Sequence, residues 1–241
     1  MKQYLLSLTL AGCWATAALA QTPARPAPTA TELKENLAQV AASTEGESDA
    51  QSDLLNKTSR QLVAYLKAHE VTAAAAEKLG LGYLDSPEAA HLKVFSYTYS
   101  SGGTRGTITN SVFQWKNQAG QLFAYAAHEE GGMGELYKLP SPGRTQYLLL
   151  GNEQGSSICV RGIAWLIELK GNYLLLDKQA FDNKPVVDIC NVELTYDAPR
   201  QTLTVAGGSD FGTPDVYAAN LGHPFRPFKL YFAQGRFVRK K

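Results

Sequence analysis

The sequence predicts an α+β chain, in which an N-terminal signal and a short helical region precede an antiparallel β domain built as a curved sheet, barrel or sandwich. Three observations predict it. Apolar residues recur at helical spacing between about residues 31 and 80, the period changes to two from about residue 90, and turn residues then fall at hairpin intervals. The predicted organisation is residues 1–20 signal peptide, 21–30 linker, 31–80 helical region and 90–241 β domain.

The signal has three parts. Lys2 supplies the positive start, residues 4–18 are apolar and rich in Leu and Ala, and Ala18-Leu19-Ala20 offers the small residues a signal peptidase reads. Cleavage before Gln21 follows, with a periplasmic or secreted mature chain. A rival lies in Leu10-Ala11-Gly12-Cys13, which has the pattern of a bacterial lipobox and would leave a lipoprotein anchored through Cys13. The apolar stretch before Cys13 is short, and residues 14–20 stay apolar, and both features weigh against that reading. No later segment is long and apolar enough to predict a membrane span.

Residues 21–30, rich in Pro, Ala and Thr, lack the apolar groups that offset ordering entropy and read as a disordered linker. A first helix follows from Leu33, Leu37 and Val40, with Thr31 as its cap. Residues 41–47 break the pattern. A second helix, capped by Ser52 or Asp53, carries Leu55, Leu62, Tyr65 and Leu66 as one stripe. Thr72 caps a third, 73–79, which Gly80 ends. This stripe is a packing face, against the β region or another protein.

Strands are predicted at 93–99, 107–116, 121–127, 135–139, 146–150, 159–169, 173–177, 187–196, 201–205, 228–232 and 236–239, joined by turns such as Asn117-Gln118-Ala119-Gly120 and Lys170-Gly171-Asn172. Nine to eleven short strands at this spacing favour a curved sheet, barrel or sandwich. The region is short for a propeller and shows no repeat.

The chain carries 23 basic and 22 acidic residues, and removing Lys2 with the signal leaves the two equal. A neutral protein has no global field to steer it onto nucleic acid or a membrane, so no nucleic-acid partner is expected. Locally, residues 31–53 are acidic and the C-terminus, with Arg236, Arg239, Lys240 and Lys241, is basic.

Loss of the signal also removes Cys13 and leaves Cys159 and Cys190. An even pair in an exported chain predicts a disulfide. By alternation Cys159 shares a face with Ile163, Trp165 and Ile167, though also with Arg161, and Cys190 with Val192, Leu194 and Tyr196, which suits a bridge through the core, the alternative being two buried free thiols. Closing a loop of about 30 residues stabilises by about 3–4 kcal/mol in the chain-entropy model. Without a Cys-x-x-Cys spacing, a redox role is not indicated.

The four histidines, His69, His91, His128 and His223, form no metal-ligand spacing, and no metal or other cofactor is expected. The weak catalytic candidates are His128, Glu129 and Glu130, because a His flanked by carboxylates can act as a general base or hold a cation. The same three polar residues before Gly131 and Gly132 also read as a solvated turn. The Gly-rich stretches at 102–106, 131–134 and 207–210 lack the P-loop ending and read as hairpin loops and bulges. Tyr97, Tyr99, Phe113, Trp115, Phe123 and Tyr125 crowd the first strands, as core residues or as an exposed face that stacks on sugars or peptides.

The run Lys93-Val94-Phe95-Ser96-Tyr97, then Ser101-Gly102-Gly103-Thr104, then Val112-Phe113-Gln114-Trp115 and Ala124-Tyr125 resembles a group of uncharacterised exported proteins of Bacteroidetes-type bacteria. Tyr97 stands where that group's pattern has Trp. The resemblance covers mainly residues 90–125. It implies a bacterial envelope or secreted protein and transfers no functional residue. The expected function is a non-catalytic envelope or secreted protein that is structural or binds a protein or glycan partner. The alternative is a secreted hydrolase with its site near His128, Glu129 and Glu130.

Overall fold

The computed structural model describes residues 27–44, 49–85, 92–127, 131–177, 179–208 and 225–240. The signal with Cys13, and the cluster His128, Glu129 and Glu130, lie outside the described residues.

Among the described residues three helices come first: α1 (Ala30–Ala41), α2 (Asp49–Ala68) and α3 (Ala73–Leu79). The third has the predicted limits, with Thr72 accepting from Ala75 N–H and Gly80 left-handed at φ 79°. The first does not start at Thr31. Thr29 caps it, and Glu32 reaches back to the Thr29 backbone, completing a capping box. A cap at Thr31 would place Lys34 at the box position, where no carboxylate could reach back to the cap. The second helix begins before Ser52 and Asp53, which lie within its first turns.

Thirteen strands follow among the described residues: β1 (Gly82–Asp85), β2 (Leu92–Ser100), β3 (Thr107–Lys116), β4 (Leu122–Ala126), β5 (Gly132–Leu139), β6 (Thr145–Ser156), β7 (Cys159–Lys170), β8 (Tyr173–Leu176), β9 (Val186–Cys190), β10 (Val192–Asp197), β11 (Thr202–Gly207), β12 (Phe228–Ala233) and β13 (Arg236–Val238). They pair antiparallel in three sheets, ordered β1-β2-β3-β4, β5-β6-β7-β8 and β10-β11-β12-β13. Strand β9 pairs with the first half of β7, on the edge whose second half takes β8. The predicted strand 187–196 is two strands, because Asn191 adopts φ 56° between them. Its amide accepts from Val160 N–H at 3.0 Å and donates to Ile158 O at 2.9 Å, tying the break to the start of β7.

The sheets stack as open layers and do not close into a barrel, which corrects one of the three predicted shapes. Three apolar clusters show why. The helices pack on one face of the first sheet through Leu33, Leu62, Leu66, Phe95 and Ile108. Its other face meets the second sheet through Val94, Phe113, Tyr147, Ile163 and Trp165. The second sheet's far face meets the third through Leu148, Leu166, Ile189, Leu203 and Phe237. Residues 111–115, 146–151 and 162–167 are buried without interruption, because both faces of β3, β6 and β7 are covered.

Gly162 is needed where β7 of the second sheet meets Val192 of the third. A Cβ there would come within 2.8 Å of Val192 Cγ2 and 2.9 Å of Val192 O.

Candidate functional site

Helix α2 is held across the first sheet at its C-terminal end. Buried Gln114 of β3 donates its amide to Leu66 O at 2.5 Å and His69 O at 2.7 Å, satisfying carbonyls that a helix end leaves unpaired. Glu70 then ties the chain to the sheet through Lys93 at 3.3 Å and Lys116 at 2.5 Å. The Lys116 bond first, and then the Lys93 bond, hold its carboxyl below the usual range.

Toward its N-terminal half the helix leaves a cleft of about 530 Å³ above β2, β3 and β4. Its helical wall carries Ser52, Asn56, Ser59 and Arg60, with Val63 one turn on, all on one face at helical spacing. The floor is Tyr97 with Asn110, whose amide donates to the Tyr97 hydroxyl at 3.4 Å. Burial pushes the Tyr97 phenol up, and hydrogen bonds from Ser59 and Asn110 oppose that rise. Arg60 is the one charged lining residue among those described and has no ion-pair partner among them. The cleft can therefore offer a cation, amides and hydroxyls to a polar, anionic molecule. Among the described residues it brings no carboxylate pair together for acid–base chemistry.

At the cleft's far rim, Ala127 N–H donates to Ser111 O at 2.9 Å, Gly131 N–H to Thr109 O at 3.0 Å, and Ser111 Oγ to Gly131 O at 2.9 Å. Both residues flanking His128, Glu129 and Glu130 are thus pinned to β3. Beneath them sits Glu153 of β6, 4 % exposed. Its two oxygens accept Thr109 N–H at 3.0 Å and Gly132 N–H at 3.1 Å, joining the first sheet to the second. Burial raises its pKa, and those two N–H donors hold it back. Sequence reasoning missed Glu153. Its only signal was an acidic residue beside an apolar strand end.

Cys159 and Cys190 form the predicted disulfide, with Cα atoms 5.1 Å apart. It does not run through the core between sheets. Cys190 stands opposite Arg161 within one sheet, so the bridge is a diagonal between β7 and β9. Asn191 reverses the alternation after Cys190, so Val192 joins the opposite face with Val187 and Ile189. Asp188, two residues before Cys190, takes Arg161 in a two-pronged ion pair at 2.9 and 2.6 Å.

Among the aromatic candidates, Tyr97, Tyr99, Phe113 and Trp115 are buried and belong to the core, and Phe123 and Tyr125 are half-buried. No group of three or more His, Cys, Asp or Glu among the described residues is placed to hold a metal ion. His69 packs on Tyr65, with ring centroids 4.5 Å apart. No described helix is long and apolar enough to cross a membrane. Comparison with family models, curated proteins and solved structures finds no match to this chain.

Proposed function

We propose that the chain is a non-catalytic bacterial envelope or secreted protein, related to the exported group that residues 90–125 resemble. It holds a small polar anion in the cleft between α2 and the first sheet. The observation that carries the binding reading is the convergence of Arg60, Asn56, Ser59, Asn110 and the Tyr97 hydroxyl on one concavity. The Cys159–Cys190 bridge is compatible with an oxidising compartment, and the three-part N-terminus supplies the route there.

Thermal-shift measurements on the mature protein, with galacturonate, glutamate and citrate as probes, test the binding reading. At least one anion is expected to raise Tm, and Arg60→Ala to abolish the rise while leaving the unliganded Tm within about 1 °C, as for exposed side chains. A rise that survives Arg60→Ala but vanishes with His128→Ala returns the site to the hydrolase alternative. N-terminal sequencing of the exported chain should begin at Gln21. A lipid-modified Cys13 at the terminus overturns that part.

A further inference from the structure

A second concavity, of about 220 Å³, lies between β9 of the second sheet and β12 of the third. Residues 185–189 all touch it. Successive strand residues point to opposite faces, so a cavity touched by four strand residues in a row, 186–189, runs along the strand's edge and not over one face. Among the described residues that edge has no strand partner: β9 pairs with β7 on one side and with no strand on the other. The opposite wall differs. It is built from alternate residues of β12, Phe228 and Leu230, and therefore presents a face. A backbone edge on one side and an apolar face on the other is the geometry that admits one more strand.

The charges at the β9 entrance set what that strand carries. Asp188 is taken by Arg161, and Asp182 by Arg239 at 3.2 Å. Arg239 also lies over the Phe228 ring, 4.4 Å from its centroid. Lys184, just before β9, has no ion-pair partner among the described residues and leaves one uncompensated positive charge at this end. Every pairing between named strands of this fold is antiparallel. A strand antiparallel to β9 ends where β9 begins, which places its C-terminus at Lys184.

We infer that this groove binds a short extended peptide, added antiparallel to the unpaired edge of β9, with an apolar side chain against Phe228, the part-exposed residue of that wall, and its C-terminal carboxylate at Lys184. The inference is independent of the α2 cleft. Backbone pairing supplies affinity without sequence, the apolar wall selects alternate residues, and the cation selects a free C-terminus.

The test uses the mature full chain and a pool of fluorescein-labelled pentapeptides of Val, Ile and Thr, with free or amidated C-termini, read by anisotropy. Free-acid peptides are expected to bind. Amidation, or Lys184→Glu, should weaken them by about tenfold or more, as loss of a charge-assisted contact does. Arg60→Ala should have no effect. Hydrogen exchange of the amides in β9 should slow when peptide is added. No binding at about 1 mM peptide, near the weakest affinity worth calling specific, overturns the inference. So does equal binding of acids and amides, or binding of decanoate in place of peptide with exchange in β9 unchanged.

Discussion

Glu153 shows how one buried carboxyl couples two layers and pH. Its carboxylate satisfies two backbone N–H groups from different sheets, at 3.0 and 3.1 Å, while burial raises its pKa above the ordinary 4.5. The folded chain therefore keeps a proton on Glu153 in a window where the unfolded chain has released it. The stabilisation tied to that proton is complete below the ordinary value and is lost as pH rises through the raised one. Glu153→Gln should accordingly be less stable than wild type at low pH by about 1–2 kcal/mol, through one lost acceptor, and should gain on wild type as pH rises. Urea melts of both proteins from about pH 4 to 7 measure the difference, and a pH-independent difference would rule out this assignment. None of this was legible in the sequence. Glu153 sits in a run that reads as the end of a strand, and what makes it unusual is supplied by Thr109 and Gly132, 44 and 21 residues away.

At the scale of elements, local chemistry was readable wherever a side chain acts on its own backbone. Thr72 and Gly80 bracket α3, and the Asn117–Gly120 turn closes the hairpin between β3 and β4, with Gly120 at φ 77°. The reading slipped where two local signals competed. Thr29 and Thr31 are both eligible caps for α1, and only Thr29 has Glu at the position that completes the box. It failed at Asn191, because an Asn in the left-handed region looks like any polar strand residue until its partners on β7 are seen. Gly162 is a similar case, being a glycine in a strand whose reason lies in another sheet. Gly162→Ala should destabilise by about 1–3 kcal/mol, since Val192 can yield only by moving backbone, and chemical denaturation measures the loss. A loss below about 0.5 kcal/mol would show that the third sheet does not press on β7 there.

At the scale of the whole molecule, the described residues form a stack of four layers, with helices over the first sheet, then the second and the third. The helices are part of that stack. Phe95, Tyr97, Ile108 and Val112 are buried by them. Deleting residues 31–79 should therefore leave an apolar sheet face open to water, and the truncated chain should aggregate or bind a hydrophobic dye. A truncated chain that stays monomeric and melts cooperatively would show the helices to be an independent module.

The sequence by itself determined the element types, the change of period near residue 90, the pairing of neighbouring hairpin strands and the one disulfide. Each depends on spacing along the chain or on which cysteines remain. Only the tertiary structure decided that three sheets stack open, that the Cys159–Cys190 bridge lies within a sheet, and where the concavities fall. A strand buried on both faces loses the alternation that would tell its two sides apart. A cleft belongs to residues such as Arg60 and Asn110 that have no relation until the helix is laid across the sheet.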